Sequence, residues 1–386
     1  MMIEGATSYQ SWAYYLTRMI GTSVTKQAIF KRMDNAWVET LKSLVGIVMK
    51  QQWDLRFPTQ LFSSFVNVWI QDSTSVKLPE VLFDKYKGSS SKGGKYSVAK
   101  LNVVINLVSG LCKTMEWNSY NVTEQFLSTA ILGIASKGDL VIRDLGYFVL
   151  NVFREMDEAG IYFLTRWRYG VNLYEVRNGN QIYLEKLLKG KLYLDINILC
   201  GKEGIPMRLV AIKISDDQAA VRKRKAKKDT HRNVNHDKTY YYLLGYVIFL
   251  TNVKKSIWSY LQVAEAYRTR WNIEILFKSW KSKLHLEKMI PEAHRHTPRI
   301  EGWLYLLLLY ICWFQQIVYL PLKRLLKDNN LSILRITQWA IINTSEWLFQ
   351  GLTLQMRKEL LLFCSYEKRR RINASNRLHR FLTPLG

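Results

Sequence analysis

In the segment FSSFVNVWIQD, residues 62–72, the apolar residues Val66, Val68 and Ile70 recur at every second position. This period is typical of a β-strand with one buried face, and Asp72 lies on that face at the end of the stretch. A second stretch, DLVIRD at 139–144, repeats the arrangement and ends at Asp144. The sequence therefore predicts two short buried strands that each end in a carboxylate.

The two carboxylates indicate a shared site. A lone carboxylate on a buried face costs several kcal/mol unless it is paired or bound to a metal ion. Asp72 and Asp144 both occupy such a position, so we interpret them as parts of one site at the edge of a sheet. The alternative is that both strands simply end there and both acids reach water.

The segments around these strands predict a mixed α/β layer. Residues 97–122 contain two further strand patterns, which meet at a turn formed by Ser109 and Gly110. Residues 148–158 have the period of an amphipathic helix. Strands and helices in this order favour a sheet flanked by helices.

From residue 161 to about 250 the pattern is rich in strands, which predicts a β-rich insertion. Four segments carry it: IYFLTRW, KLYLDINILC, MRLVAIKI and YYLLGYVIFL. Between the last two lies VRKRKAKK, residues 221–228, which predicts an exposed loop. Such a charge run is either merely solvated or contacts nucleic-acid phosphates, and both interpretations stay open.

Both ends of the chain are predicted to be helical. Residues 8–50 predict two or three short helices, which either form a small DNA-binding bundle or pack on the main domain. Residues 356–380 predict a basic helical region. The uncharged run 303–322 is long enough to span a bilayer. Because Gln315 and Gln316 interrupt it, we interpret it as a buried core helix.

The composition points to a polyanionic partner. The 386 residues carry a net charge of +25, and 48% of them are hydrophobic, which excludes global disorder. Nucleic acid is the first expectation and an anionic membrane surface the second. The four cysteines are far apart, and the chain starts without a signal-peptide pattern, so we expect a reducing cytoplasm. His294 and His296 could bind a metal ion, but their proline-flanked loop is a poor scaffold.

One face of a predicted helix over 257–285 combines an acid with bases. The face carries five residues: Tyr267, Arg270, Glu274, Lys278 and Lys281. The opposite face is apolar. Pairing of Glu274 with Lys278 or Arg270 at helical spacing would explain the charges but not the whole stripe. Three carboxylates, from two strand ends and this helix, can hold two Mg²⁺ ions about 4 Å apart for phosphodiester chemistry.

These residues carry a resemblance to a known family. The helix matches the Y-(2)-R-(3)-E-(6)-K signature of DDE transposases of the insertion sequence 4 family: Tyr267-x2-Arg270-x3-Glu274-x6-Lys281. The segments IQDSTSVKLP around Asp72 and IRDLGYF around Asp144 look like the first and second Asp motifs of that family. The resemblance covers about residues 60–290.

The resemblance implies a fold, a site and a reaction. Asp72, Asp144 and Glu274 would be the catalytic, metal-binding triad on a ribonuclease H-like fold, with two Mg²⁺ ions, or Mn²⁺ in their place. Tyr267, Arg270 and Lys281 would hold DNA phosphates, and Lys278 on the same face is counted with them. The enzyme would cut double-stranded DNA at the terminal inverted repeats of a transposon and join these ends to target DNA, as a synaptic homodimer. Trp167 and Trp258 are candidates for stacking a flipped base, with buried packing as the alternative.

The implied organisation has five parts, with no membrane association and a location in the bacterial cytoplasm at the nucleoid. They are a helical N-terminal region over 1–60, the first part of the catalytic domain over 61–160, the β-rich insertion over 161–250, the remainder of the catalytic domain with the Glu helix over 251–325, and a basic helical C-terminal region over 326–386. The first region is short for the DNA-binding region of the family, which indicates a truncated start. Two alternatives to an active transposase remain: a catalytically inactive DNA-binding remnant, and a membrane protein built on 303–322.

Overall fold

The computed structural model describes residues 8–56, 59–88, 96–228, 237–284, 295–326, 332–351 and 353–364. The first histidine of the His294-x-His296 pair and the basic stretch beyond residue 364 lie outside these ranges. The chain divides into two compact units. Unit 1 comprises Met1–Pro58, Asp72–Thr123 and Trp271–Tyr366, and unit 2 comprises Thr59–Gln71, Glu124–Arg270 and Glu367–Gly386.

Unit 2 contains most of the sheet. In chain order the described strands are β1 (Val68–Leu78), β2 (Ser97–Asn106), β3 (Cys112–Ser119), β4 (Leu140–Arg143), β5 (Tyr162–Arg166), β6 (Leu173–Glu175), β7 (Tyr193–Cys200), β8 (Ile205–Lys213) and β9 (Tyr246–Thr251). In unit 2 hydrogen bonds connect them in the order β1-β4-β5-β9-β8-β7-β6, and in unit 1 in the order β3-β2-β1. β1 contributes to both units because the boundary falls between Gln71 and Asp72.

Parallel strands form the centre of the sheet in unit 2. β4 pairs in parallel with β1 on one side and with β5 on the other. β9, β8, β7 and β6 continue the sheet with antiparallel pairings. The apolar residues of β4 are fully buried, as expected for a parallel strand covered on both faces. The α/β class, with a large mixed sheet flanked by helices, is therefore confirmed.

The strand that carries Asp72 differs from its prediction at both ends. It begins at Val68 and runs beyond Asp72 to Leu78, so the prediction that Asp72 ends the strand is wrong. The reason is visible in the burial pattern: Val76 and Leu78 continue the buried face at the same period of two. Asp72 is thus a half-buried carboxylate within a strand, between buried positions.

Both units also contain α-helices. In chain order the described α-helices are α1 (Tyr9–Ile20), α2 (Lys26–Arg32), α3 (Asn35–Lys50), α4 (Glu124–Leu127), α5 (Leu150–Glu158), α6 (Leu184–Leu187), α7 (Asp216–Lys228), α8 (Lys238–Leu243), α9 (Tyr260–Arg268), α10 (Trp271–Ser282), α11 (Thr297–Trp313), α12 (Leu320–Leu326), α13 (Ile333–Gln350) and α14 (Leu354–Cys364). The predicted N-terminal helices are confirmed as α1, α2 and α3, each with a polar N-cap: Ser8, Thr25 and Asp34.

The long apolar run is a core helix of unit 1. Thr297–Arg324 is long and apolar enough to cross a bilayer by length and composition alone, and 61% of its most apolar window is buried inside the protein. Gly302 lies so close to the Trp37 ring of α3 that a Cβ would collide with it. The Trp303 ring packs on Trp12 of α1 at a centroid distance of 4.9 Å. These contacts are those of a helix buried among other helices.

One of the two glutamines that interrupt this run, Gln316, is part of a polar network. Gln316 accepts a hydrogen bond from the Trp53 backbone N–H at 3.0 Å and donates one to Gln52 at 3.2 Å. Gln52 exchanges two hydrogen bonds with the backbone of Cys112, at 2.6 and 3.0 Å. Because buried amides need such partners, the network explains how polar side chains are tolerated between α3, β3 and the core helix.

Two local predictions from the charge and period patterns are wrong. The basic run VRKRKAKK is the second half of helix α7 rather than a loop, so the insertion contains helices as well as strands. The helix predicted over 257–285 is interrupted: α9 ends at Arg268, α10 begins at Trp271, and the two intervening residues form a turn. The face of Tyr267 and that of Glu274 therefore belong to different helices.

All four cysteines are buried, which predicts unreactive thiols. They are Cys112, Cys200, Cys312 and Cys364. Burial raises the pKa of every one of them, to about 12 for Cys200 and Cys312 and about 11 for Cys364. Since the thiolate is the reactive form, we expect no rapid reaction with an aromatic disulfide reagent at pH 8, and reaction of four thiols after unfolding in guanidinium. Rapid labelling of the folded protein would contradict this burial.

Candidate active site

Asp144 and Arg166 come together at the end of two parallel strands. Ile142 of β4 lies beside Leu164 of β5. Asp144 and Arg166 follow two residues later along the chain, which is the spacing of one face of a strand. An Arg166 guanidinium nitrogen lies 3.8 Å from Asp144 Oδ1. The parallel pairing of β4 and β5 thus places the Asp144 carboxylate next to the Arg166 guanidinium.

Tyr267 of α9 orients the Asp144 carboxylate. Its hydroxyl donates a hydrogen bond to Asp144 Oδ1 at 3.2 Å, and its ring packs on Phe249 of β9 at 5.2 Å. Burial raises the pKa of Tyr267 to about 12; Arg166 and Arg270 oppose this rise, and Asp144 adds to it. The hydroxyl therefore keeps its proton at neutral pH and remains a donor.

Arg270 adds a second cation from the turn after α9. Its Nε lies 3.9 Å from Asp144 Oδ1, its side chain is 8% exposed, and its guanidinium lies 5.8 Å from the centre of the Tyr267 ring. The Asp144 side chain itself is 35% exposed, and within the described residues its Oδ2 atom accepts no hydrogen bond. Asp144 thus has one oriented oxygen and one oxygen available to a ligand.

A buried arginine precedes Asp144 and connects β4 to β1. Arg143 is fully buried and donates to Gln71 Oε1 at 2.6 Å, to Ser128 Oγ at 2.7 Å and to the Ser128 carbonyl. Gln71 also donates to the Leu127 carbonyl at 2.9 Å. Gln71 and Arg143 are register partners, so this network fixes the pairing of the two strands one residue before Asp72 and Asp144.

The other predicted site residues lie in unit 1. Asp72 is half-buried, and its Oδ1 accepts the Ser73 backbone N–H at 2.8 Å. On α10, Glu274 and Lys278 are exposed and Lys281 is half-buried, while Ile273 and other apolar residues bury the opposite face. The predicted separation of a polar and an apolar face is therefore confirmed for α10.

The structure brings together part of the predicted site. Asp144, Tyr267 and Arg270 meet in unit 2, whereas Asp72 and Glu274 belong to unit 1. Among the described residues, no three side chains of the His, Cys, Asp and Glu types form a group that could hold a metal ion. The convergence of the three carboxylates therefore stays a prediction.

Sequence reasoning missed Arg166, although the signal was present. It ends a short apolar strand, as Asp144 follows one, and the same argument from strand ends would have selected it. The two tryptophans considered for base stacking have structural partners instead. Trp258 is 1% exposed and donates to the Leu61 carbonyl at 2.9 Å, and Trp167 donates to the Val171 carbonyl at 3.1 Å.

Known proteins with similar sequences are transposases. The chain is 28% identical over 331 residues to the transposase for insertion sequence element IS231F of Bacillus thuringiensis subsp. israelensis, covering 77% of this chain and 67% of that protein. It is 28% identical over 293 residues to the transposase for IS231D of Bacillus thuringiensis subsp. finitimus, covering 69% of this chain and 61% of that protein. The matched region thus spans about two thirds of these relatives or less.

The chain was also compared with solved structures and with protein-family models. The cryo-EM structure of a piggyBac transposase synaptic complex with hairpin DNA aligns with a TM-score of 0.42 at 10% identity, over 94% of this chain and 66% of that chain. The family model described as "Transposase DDE domain" matches residues 65–312, which is more than half of the chain. The chain therefore belongs to the transposase DDE domain family, as the resemblance of its motifs predicted.

Proposed function

We propose that this chain is a DNA transposase that cuts DNA at the ends of a mobile element and joins them to target DNA. The observation that carries the proposal is the family match over residues 65–312, a range that contains all three predicted acids. The relatives are named as transposases of insertion sequence elements, so the proposed substrate is the double-stranded DNA at the ends of such an element. The proposed catalytic fold is ribonuclease H-like.

The register of β1 and β4 supports the assignment of two acids. Gln71 pairs with Arg143 in the parallel ladder. Asp72 follows Gln71 directly, and Asp144 follows Arg143 directly. Parallel strands carry residues of equal register to the same end of the pair. The proposal therefore rests on two acids that each directly follow a member of the last register pair.

The third proposed acid is Glu274, on the basic face of α10. Its side chain is exposed, one turn before the exposed Lys278, while the buried face of α10 holds the helix in place. Lys278, Lys281 and the Asp144 neighbours Tyr267 and Arg270 are proposed to bind the DNA phosphates. A carboxylate on such a face can approach a phosphodiester without the repulsion that an acidic surface would cause.

The donor set of the three acids suits a divalent cation. Carboxylate oxygens are the ligands that Mg²⁺ and Mn²⁺ prefer, and Asp144 has an oxygen available for this purpose. When bound, two such ions supply activation of a water or a 3′-hydroxyl and stabilisation of the leaving oxygen. The chain's part is to hold Asp144 in one orientation through Tyr267, and to neutralise the phosphate charge through Arg166 and Arg270.

The test uses the full chain with Mg²⁺ and a DNA fragment that carries the terminal inverted repeats of its element. We expect strand breaks at the repeat ends, their loss in EDTA, and dimerisation on the paired ends. Tight binding of the fragment without any strand break, in Mg²⁺ and in Mn²⁺, would instead identify a DNA-binding remnant without catalytic activity.

The hydroxyl of Tyr267 provides a finer prediction. Tyr267→Phe removes the hydrogen bond to Asp144 and keeps the ring contact with Phe249, so cleavage should fall about 10–100-fold, as for other groups that orient a ligand side chain. The free energy of unfolding should fall by only about 1 kcal/mol. The measurement is single-turnover cleavage with saturating DNA.

Tyr169→Phe is the matched control for this variant. Tyr169 makes the same type of bond, to Asp237 Oδ1 at 2.7 Å, and has no proposed role in the reaction. Its loss should leave cleavage unchanged. An equal drop in both variants would show that Tyr267 has no special part in orienting Asp144.

A further inference from the structure

We propose that helix α7 of unit 2 is a DNA-binding surface whose basic second half contacts the phosphate backbone. This inference rests on the proposed function only in taking DNA as the polyanion. Six of the last seven residues of α7 are basic, and they are Arg222, Lys223, Arg224, Lys225, Lys227 and Lys228. The surface is defined by these six residues and is called the α7 basic surface.

The basic half of α7 has no acid within the helix to pair with at helical spacing. A solvated helix is stabilised when acids and bases alternate at spacings of three and four residues. In α7 the acids Asp216 and Asp217 lie in the first turn, at neither spacing from any of the bases. The bases instead lie four residues apart from other bases: Lys223 from Lys227, and Arg224 from Lys228. Like charges at this spacing destabilise a helix.

No neighbouring element neutralises these charges in the described part of the chain. Lys223, Arg224, Lys225 and Lys228 are exposed, and no described carboxylate lies within salt-bridge distance of them. A cluster of this kind repels itself until a polyanion binds. The α7 basic surface therefore has the charge and the exposure of a phosphate-binding surface.

One side of α7 is nevertheless firmly attached to unit 2. Ala219 is buried, Arg222 donates to the Tyr246 carbonyl at 3.1 Å, and Lys227 lies 6.0 Å from the centre of the Tyr241 ring. The helix is thus held by one side while the other bases project outward. A fixed row of charges binds a regular backbone with less loss of conformational entropy than a mobile loop does.

The position of α7 fits DNA that also reaches Asp144. Burial lowers the pKa of Arg222, and the positive charge of Arg166 lowers it further. Arg166 is also the neighbour of Asp144, so the first base of the α7 basic surface lies within electrostatic range of the candidate active site. From Arg222 to Lys228 the helix rises by about 9 Å, a length over which a DNA duplex presents about five phosphates.

The test neutralises the outward bases and measures binding of a DNA duplex as a function of salt. The variant carries Lys223→Gln, Arg224→Gln, Lys225→Gln and Lys228→Gln, which keep good helix formers in place. Each phosphate contact contributes about 0.9 to the slope of log K against log[salt]. We expect the slope to fall by about 2–4 and the affinity at 0.1 M salt to fall at least about tenfold.

Two further variants make the result specific. A control with the same change in charge carries Arg177→Gln, Lys186→Gln, Lys189→Gln and Lys202→Gln, all exposed in unit 2, and should bind with nearly the wild-type slope. A variant that exchanges Lys and Arg within the α7 basic surface keeps its charge and should bind like the wild type. Equal losses in the α7 variant and the control, or no loss in either, would overturn the inference.

The outcomes also separate this inference from the proposed function. Unchanged binding by the α7 variant together with Mg²⁺-dependent cleavage would refute the inference and leave the transposase assignment intact. If the α7 variant lost DNA binding, and the wild-type protein bound DNA but never cut it, the inference would be supported and the transposase assignment refuted. Binding of the wild type to phosphatidylglycerol vesicles, abolished in the variant while DNA binding is unchanged, would assign α7 to a membrane surface and overturn the inference.

Discussion

Asp144→Asn is expected to abolish strand cleavage at the transposon end while DNA is still bound with nearly wild-type affinity. Asparagine keeps the size of the side chain and an oxygen that accepts the Tyr267 hydroxyl, but it loses the charge that a divalent cation requires. Removing one preorganised hydrogen-bond donor from an oxyanion hole typically costs about 10²–10³-fold in rate, and loss of a charged metal ligand should reach at least the upper end. The measurement is single-turnover cleavage with Mg²⁺, beside a binding titration in EDTA.

The same result is expected for the other two acids. Asp72→Asn and Glu274→Gln should each lose cleavage as well, because each removes one proposed metal ligand. The effects of residues that act as one unit are strongly non-additive. A double variant should therefore be no worse than either single one. Asp157→Asn is the matched control: Asp157 accepts a hydrogen bond from Asn252 at 2.9 Å and should be dispensable for cleavage.

One pattern of activities would contradict the proposed triad. If a single variant, such as Glu274→Gln, cleaved at more than about one tenth of the wild-type rate, its residue would not be a metal ligand, since even a supporting group is typically worth 10–100-fold. The third metal-binding acid would then have to be a residue other than Glu274, while the family membership would be unaffected.

The sequence predicted those parts of the site that depend on local pattern. The strand before Asp144 is predictable because three apolar residues in a row are followed by two charged ones, and β4 covers Leu140–Arg143. The motif selected Tyr267 and Arg270 as phosphate-binding residues, whereas their contacts with Asp144 are visible only in the structure. The continuation of β1 to Leu78 was missed because Asp72 was treated as an end, although the alternation persists beyond it.

The features that were not predictable depend on tertiary contacts. Helix α7 has no apolar stripe and buries only Ala219, so hydrophobic periodicity does not reveal it. Its local signal is a run of strong helix formers, which an interpretation from charge alone overlooks. Its attachment through Arg222 and Lys227 is not visible in the sequence. The turn between α9 and α10 contains neither glycine nor proline, and the helical period continues through Thr269 and Arg270. No residue in the sequence therefore marks the break.

The largest expected effect on stability belongs to Arg143. Its guanidinium is fully buried and bonded to Gln71 and Ser128, and among the described residues it has no carboxylate partner. Burial lowers its pKa to about 9, with a small opposing effect of Tyr147, so the group still carries its charge at neutral pH. When such a buried donor is removed, its neutral acceptors are left buried without hydrogen-bond partners.

Arg143→Ala should therefore lower the free energy of unfolding by about 3–5 kcal/mol, from the cavity and from the stranded partners Gln71 and Ser128. Arg143→Lys keeps the charge but cannot reproduce the planar fork, and should cost about 1.5–3 kcal/mol. Arg177→Ala, at an exposed position, should stay within about 0.5 kcal/mol of the wild type. Urea unfolding at pH 7 measures all three.

The same variants test whether Arg143 positions the acids as well as stabilising the fold. Gln71 and Arg143 are the last register pair before Asp72 and Asp144, so a loosened pairing should misplace both carboxylates even in molecules that remain folded. Arg143→Lys, assayed at a temperature where it is fully folded, should cleave at least about tenfold more slowly than the wild type, with unchanged DNA affinity, because small displacements at a reacting centre are costly. A folded Arg143→Lys protein with full cleavage activity would restrict Arg143 to a structural role.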